Sequence, residues 1–452
     1  MSSTRLRSAL GLLLVAGVAL SAAACGGDDD STASKGGKVT LVINGLPPGT
    51  EQATHDRFLA NVAEFEKAHP DIDIDAREGK MDPQTFPAKL AGGQLEDVFY
   101  VYFTDPASLI AKRQVSDISK YLKDFPIASQ LKPEVLRVFQ DDKGATYGLP
   151  YKNYSMGLLY NRELFTKAGL DPDNPPKTWA DVRVAAQKIA ALGDDTIGYG
   201  DYSKNNTGGW HFTTELYSVG GDVAVNEGGT WKAAFNSPQG KQVLQQLKDM
   251  RWTDNSMGQK QLLEWADLLN QMGSGKLGMY LATADNIPTI VNQYKGKYET
   301  YGLGPIPDGK GTLGGGEGYL FKAGLSADKI KAGLTWLTFW FTSADRYEAE
   351  NKWSSETKQP VGLPEPAIFT GPAAETQATA DKKYANVPQA NYAPFVASMS
   401  SIPVKLEPPN AQQIYATLDV AMQKVLTDKN ANVDQLLADA ETQVNQILTS
   451  VK

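Results

Sequence analysis

The chain has 452 residues, 52 acidic against 44 basic side chains, a formal charge of -8 and a single cysteine. An acidic balance without a long Lys/Arg cluster disfavours nucleic-acid binding, which needs a basic patch to neutralise phosphates. One cysteine excludes an intramolecular disulfide, and the length exceeds what one ordinary core supports, so two domains are expected.

Arg5 and Arg7 precede an apolar or small-residue run, 9–24, that stops at Cys25. Basic, then apolar, then small is the order of an export signal, and the run is shorter than the roughly 20 apolar residues of a spanning helix. Residues 1–24 are therefore set aside as a signal peptide. Ala22-Ala23-Ala24-Cys25 resembles the bacterial lipobox, with Ala22 where Leu is usual. The resemblance implies a lipid on Cys25; the other reading is an ordinary signal peptide cut nearby. Residues 25–37, with Gly26-Gly27-Asp28-Asp29-Asp30 at their start, read as a flexible tether. The three aspartates lack intervening ligands and read as solvated spacer, not as a metal site.

The β-branched run 39–43 predicts a strand, and Gly45-Leu46-Pro47-Pro48-Gly49 a loop. Phe58, Val62 and Phe65 repeat at helical spacing. Ile72-Asp73-Ile74 alternates like a strand, and Val98-Phe99-Tyr100-Val101 reads as a buried one. Further helices are predicted from Val182, Ala186 and Ile189, from Val243, Leu247 and Met250, and from Leu262, Ala266 and Leu269. Strands are predicted at 157–160 and 277–281. Alternating strands and helices over this length argue for the α/β class. From Ile414 onward the apolar spacing gives two amphipathic helices, which must pack on a preceding domain to bury their stripes.

Little in the sequence supports catalysis. The three histidines, His55, His69 and His211, lack metal-ligand or triad spacing, and neither an H-E-x-x-H nor a G-x-S-x-G segment is present. His211 beside Trp210 is a candidate pocket residue. Gly273-Ser274-Gly275-Lys276 is followed by Leu277 instead of the Ser or Thr of a phosphate loop. Gly314-Gly315-Gly316-Glu317-Gly318 places an acid where an anion would sit. No metal and no cofactor are expected.

Several segments, in order, resemble the family 1 extracellular solute-binding proteins, the maltodextrin-binding-like receptors of ABC importers. The most specific stretch runs from Tyr147-Gly148-Leu149-Pro150 through Leu158-Leu159-Tyr160-Asn161 and Ala168-Gly169-Leu170 to Pro176-Lys177-Thr178-Trp179, with Thr178 as a helix N-cap. Glu96-Asp97-Val98-Phe99, Asn236-Ser237-Pro238, Gly275-Lys276-Leu277-Gly278-Met279 and Tyr301-Gly302-Leu303-Gly304-Pro305 also fit. Glu96 stands where the family commonly has Pro, and Ala284-Asp285 where an aromatic is frequent.

The resemblance implies a two-lobed type II periplasmic-binding-protein fold, with three interlobe crossing segments near Asn153, Tyr319 and Gly362 and a helical C-terminus. The lobes implied are 38–152 with 320–362, and 153–319 with 363–452. A ligand in such a fold sits between the lobes, beyond the C-terminal ends of the strands. The candidate ligand residues are Glu51, Tyr102, Asp105, Tyr154, Trp210, Asp285, Asn286 and Glu317. The function implied is capture of a sugar or oligosaccharide by a monomeric, membrane-anchored lipoprotein that delivers it to an ABC permease. A secreted carbohydrate-active enzyme, or a receptor of the same fold for a peptide or polyol, remains open at this point.

Overall fold

A computed structural model describes residues 37–82 and 85–451; Cys25 and the expected signal peptide lie outside the described residues. The strands, in chain order, are β1 (Val39–Leu46), β2 (Ile72–Glu78), β3 (Val98–Tyr102), β4 (Gly148–Ser155), β5 (Gly157–Asn161), β6 (Ile197–Tyr199), β7 (Ala224–Glu227), β8 (Thr230–Ala233), β9 (Leu277–Ala282), β10 (Tyr301–Gly304), β11 (Thr312–Phe321) and β12 (Val404–Lys405). They form two principal sheets, one ordered β12-β11-β3-β1-β2 with β4 also on β11, the other β10-β5-β9-β6; β7 and β8 make a separate hairpin.

In the first lobe, β1 runs parallel to both β2 and β3, as βαβ connections require. The helix Gln52–Ala68 buries Phe58, Val62 and Phe65, the face that helical spacing predicts. Phe65 meets Trp336 of the helix Ala327–Thr342 edge to face, with ring centroids 5.1 Å apart. β1 continues through Gly45 to Leu46 across a register shift, so the strand extends into what reads as loop in the sequence.

The second lobe buries its helices on the expected faces: Val182, Ala186 and Ile189; Val243, Leu247 and Met250; and Ile414, Leu418, Met422 and Val425 of the C-terminal pair. Thr178 caps its helix in a full capping box with Asp181, and Trp179 lies in the core, its indole N–H donating to Ser218 Oγ at 2.8 Å. One helix shifts. The segment predicted around Leu262 starts only at Trp265, because Glu264 and Asp267 form a capping box there, and Leu262 sits at φ 59°. The face then buried is Leu268, Leu269 and Met272.

The lobes share strands. β4 lies along β11 of the first sheet, and after Met156 the chain enters β5 of the second. β11 starts beside β12 at Thr312 and Leu313 and ends beside β3, from Glu317 to Phe321. The third passage departs from the boundary expected at 362. Leu363 packs at the edge of the second core, but Ile368, Phe369 and Ala373 return to the first, and Val387, Tyr392 and Phe395 then enter the second. The detour is held by the helix Gly371–Tyr384 on the helix Ala344–Glu356, where Asn351 Nδ2 donates to Asp381 Oδ1 at 2.7 Å.

Candidate functional site

The two crossing strands bring the site together. On β4, Lys152 and Tyr154 share a face, being two residues apart. Opposite them on β11, Glu317 pairs in register with Lys152, and Gly315 with Tyr154. A Cβ on Gly315 would lie 2.3 Å from the Tyr154 hydroxyl, so only glycine lets that ring lie against β11.

From the first lobe come the residues after β3. Tyr102 ends the strand, and Asp105 stands at the N-cap position of the helix Pro106–Ala111, where its Oδ2 accepts from the Tyr102 backbone N–H at 3.0 Å. Burial raises the Asp105 carboxyl to about 6 against that hydrogen bond. Glu317 Oε2 is buried without a hydrogen bond, and its nearest cation is Lys80 Nζ at 3.7 Å.

From the second lobe come Trp210, Asp285 and a residue not anticipated from sequence, Glu407. Trp210 lies on the first turn of the helix Thr207–Ser218. Its neighbour Gly209 is needed there, because an added Cβ would lie 2.3 Å from the Tyr415 backbone oxygen. Half-buried, Trp210 packs against both cores of the lobe and meets Tyr154 edge to face at 6.3 Å. Glu407 accepts from the Tyr415 hydroxyl at 3.0 Å; burial raises it to about 7, and the charge of Asp105 on the opposite lobe adds to the rise.

Lys152 is the electrostatic centre. Burial alone would depress its ammonium, but Glu365, Glu317 and Asp285 outweigh that and raise it. Glu365 Oε1 is 3.7 Å from Lys152 Nζ. Glu317, which pairs with Tyr102 of the first sheet although the expected boundary at 319 put it in the second lobe, and second-lobe Asp285 thus act on the same ammonium, and both also act on Tyr154.

Of the eight residues singled out from sequence, Tyr102, Asp105, Tyr154, Trp210, Asp285 and Glu317 fall in this region. Asn286 is turned inward: its Oδ1 accepts from Trp265 Nε1 at 2.8 Å and its Nδ2 donates to Thr283 Oγ1 at 2.9 Å. Glu51 is exposed before the helix Gln52–Ala68, accepting from Thr54 Oγ1 at 3.4 Å. His211 is fully buried, hydrogen-bonded to Asp201 behind Trp210, and burial lowers it to about 3, so it stays neutral and does not face a ligand. Lys152, Glu365 and Glu407 went unread in the sequence.

Two lobes joined by shared strands, with charged and aromatic side chains converging where they meet, define a binding protein of the periplasmic type. Residues 52–347 match the model of the bacterial extracellular solute-binding proteins, and the chain belongs to that family. It is 30% identical over 222 residues to the sn-glycerol-3-phosphate-binding periplasmic protein of Brucella abortus, across 45% of this chain and 47% of that one. The curated relatives it matches are thus covered over less than half their length. The fold is similar to an ABC transporter solute-binding protein from Thermotoga lettingae bound with alpha-D-tagatose, at TM-score 0.72 and 24% identity over 91% of this chain and 100% of that one. It is also similar to a cyclic alpha-maltosyl-1,6-maltose binding protein from Arthrobacter globiformis, at TM-score 0.69 and 22% identity, over 92% and 100%. Both likenesses are of fold.

Proposed function

We propose that this protein is the lipid-anchored, extracytoplasmic receptor of an ABC importer, which captures a sugar or short oligosaccharide between its lobes and hands it to the permease. The observation that carries the reading is that β4, the strand joining the lobes, sets Lys152 opposite Glu317 of β11 and Tyr154 against Trp210 of the second lobe, with the charge of second-lobe Asp285 acting on both. A solute touching both acids stabilises the closed arrangement of the lobes and not the open one. Sugars offer apolar ring faces and hydroxyl edges. Trp210 and Tyr154 supply aromatic surface, and ionised carboxylates accept hydroxyl protons more strongly than neutral groups do.

The anchor is Cys25, and the protein acts as a monomer. Binding is stoichiometric; hydrolysis of an oligosaccharide at substrate excess would instead make it a carbohydrate-active enzyme. A non-sugar solute is the second reading, favoured by the relative named for sn-glycerol-3-phosphate. A thermal-shift screen of mono-, di- and oligosaccharides tests the proposal, because a ligand bound only by the folded form raises the melting temperature. No shift with any carbohydrate at millimolar concentration would overturn it.

A further inference from the structure

We infer that Asp201 and Glu215, buried behind Trp210, hold one proton between their carboxyl groups and, through His211, set the position of that tryptophan at the cleft. This rests on the reading of Trp210 as a wall of the solute cleft and adds the residues that position it. Asp201, His211 and Glu215 are 2%, 0% and 0% exposed, so water satisfies none of them. His211 and Glu215 are four residues apart on the helix Thr207–Ser218, which also bears Trp210, and their side chains share one face of it. Asp201 follows β6, and the hydroxyl of Tyr199 on that strand donates to Glu215 Oε1 at 3.0 Å. Asp201 Oδ1 is hydrogen-bonded to His211 Nδ1. The two carboxyls also hydrogen-bond each other. With Oδ1 and Oε1 engaged, that bond runs between Asp201 Oδ2 and Glu215 Oε2, which are buried and have no other hydrogen bond. An ionised carboxylate only accepts, so two of them share a hydrogen bond only when one carries a proton.

The surroundings call for that proton. The groups facing the pair are the phenols of Tyr199 and Tyr202, the neutral His211 and the carboxyl of Asp419. Among the described residues neither acid forms an ion pair with a Lys or Arg, and His211 is the one ionisable base against them. Two enclosed negative charges would repel without compensation, whereas one retained proton turns the repulsion into a hydrogen bond. Burial, with the facing charge of Asp201, accordingly raises the Glu215 carboxyl well above its ordinary 4.5. The chain from Tyr199 through Glu215 and Asp201 then fixes the imidazole of His211. Its ring centroid lies 4.1 Å from that of Tyr202 and 5.5 Å from that of Trp210. The indole is thus backed by a ring that cannot turn without breaking a buried network, and such networks are rigid when satisfied throughout. Asp201 and Glu215 are positioning residues, acting on the cleft only through His211 and Trp210.

The test uses the full chain without ligand. Infrared spectra at about pH 7 should contain the carbonyl stretch of a protonated carboxyl that is lost in Glu215→Gln, whose amide keeps both hydrogen bonds without a shared proton. The folded chain holds this proton more tightly than the unfolded chain, so its contribution is present below 4.5 and is lost as pH rises above that value. Melting from about pH 5 to 8 should therefore fall more steeply for wild type than for Glu215→Gln. The indole N–H resonance of Trp210, assigned by its absence in Trp210→Phe, should move in Glu215→Met, which is similar in size but makes neither bond. It should return to the wild-type position in Glu215→Gln. Should Glu215→Met not fold, Asp201→Leu, which strips His211 of its partner, is read in the same way. An infrared band unchanged in Glu215→Gln, or parallel melting profiles, would overturn the shared proton. An indole resonance unmoved by Glu215→Met, or moved as far by Glu215→Gln, would overturn the positioning role. These readouts need no solute, so their failure leaves the solute cleft standing, while the affinity of Trp210→Ala tests the cleft itself.

Discussion

Tyr154 of the strand joining the lobes and Trp210 of the second lobe meet edge to face, with ring centroids 6.3 Å apart and planes at 75°. That contact leaves an aromatic corner whose walls come from different structural units, one on β4 and one on a helix end. Trp210→Ala removes one wall without leaving an unpaired charge. Affinity for the identified ligand should fall by roughly 30-fold or more, the scale of a buried aromatic hot spot. Although Trp210 packs against both cores, it is only half-buried, so the ligand-free melting temperature should drop less than for a fully buried tryptophan. Calorimetry paired with melting separates the roles, and unchanged affinity would take Trp210 out of the site.

Gly209 holds that tryptophan in place. An added Cβ would come within 2.3 Å to 2.7 Å of Tyr415 backbone atoms, which cannot swing aside as a side chain can. Gly209→Ala should therefore destabilise the chain by about 1–3 kcal/mol, as overpacked cores do, and weaken ligand binding through the displaced Trp210. Gly49, whose added Cβ would make only an ordinary 3.6 Å contact with Glu78, is the control. Equal melting temperatures for the two alanine variants would contradict this packing.

The fold was largely legible because its signals are local: the capping residue Thr178, the apolar spacing of the helices and the β-branched opening strand each act over a few residues. The site was legible where an aromatic or a glycine run marked it, as at Trp210 and at Gly314–Gly318 around Glu317. Lys152 could have been found, since a strand that presents Tyr154 to a ligand presents residue 152 on the same face. Glu407 and Glu365 could not, because among 52 acids nothing but the path of the chain sets them apart. The same holds for Asp419, which accepts from the Gly209 N–H at 2.8 Å from 210 residues away in sequence.

Ionisation of Glu407 should show in stability. Burial raises it from its usual 4.5 to about 7, so the folded chain holds this proton more tightly than the unfolded chain does. Its contribution is then fully present below about pH 4.5 and is lost as pH rises through about 7. Melting of the ligand-free protein over about pH 4 to 8 should fall more steeply for wild type than for Glu407→Gln. Parallel profiles would show that Glu407 carries no such linkage.

Attachment to the membrane should depend on Cys25. On the proposed anchor, replacing it with Ser keeps the expected export signal and removes the thiol proposed to carry the lipid, so the protein should appear in the soluble extracytoplasmic or medium fraction. Retention of Cys25→Ser in the membrane fraction to the wild-type extent would rule out the lipid anchor.

The most direct measurement is small-angle scattering of the full chain with and without a saturating concentration of the solute found by calorimetry. A ligand held by Glu317 of one lobe and Asp285 of the other favours the closed arrangement by its differential affinity for the two states. The radius of gyration should fall on saturation, and the decrease should vanish in Asp285→Asn at the same ligand concentration. An unchanged radius at proven saturation would contradict capture by closure of the two lobes.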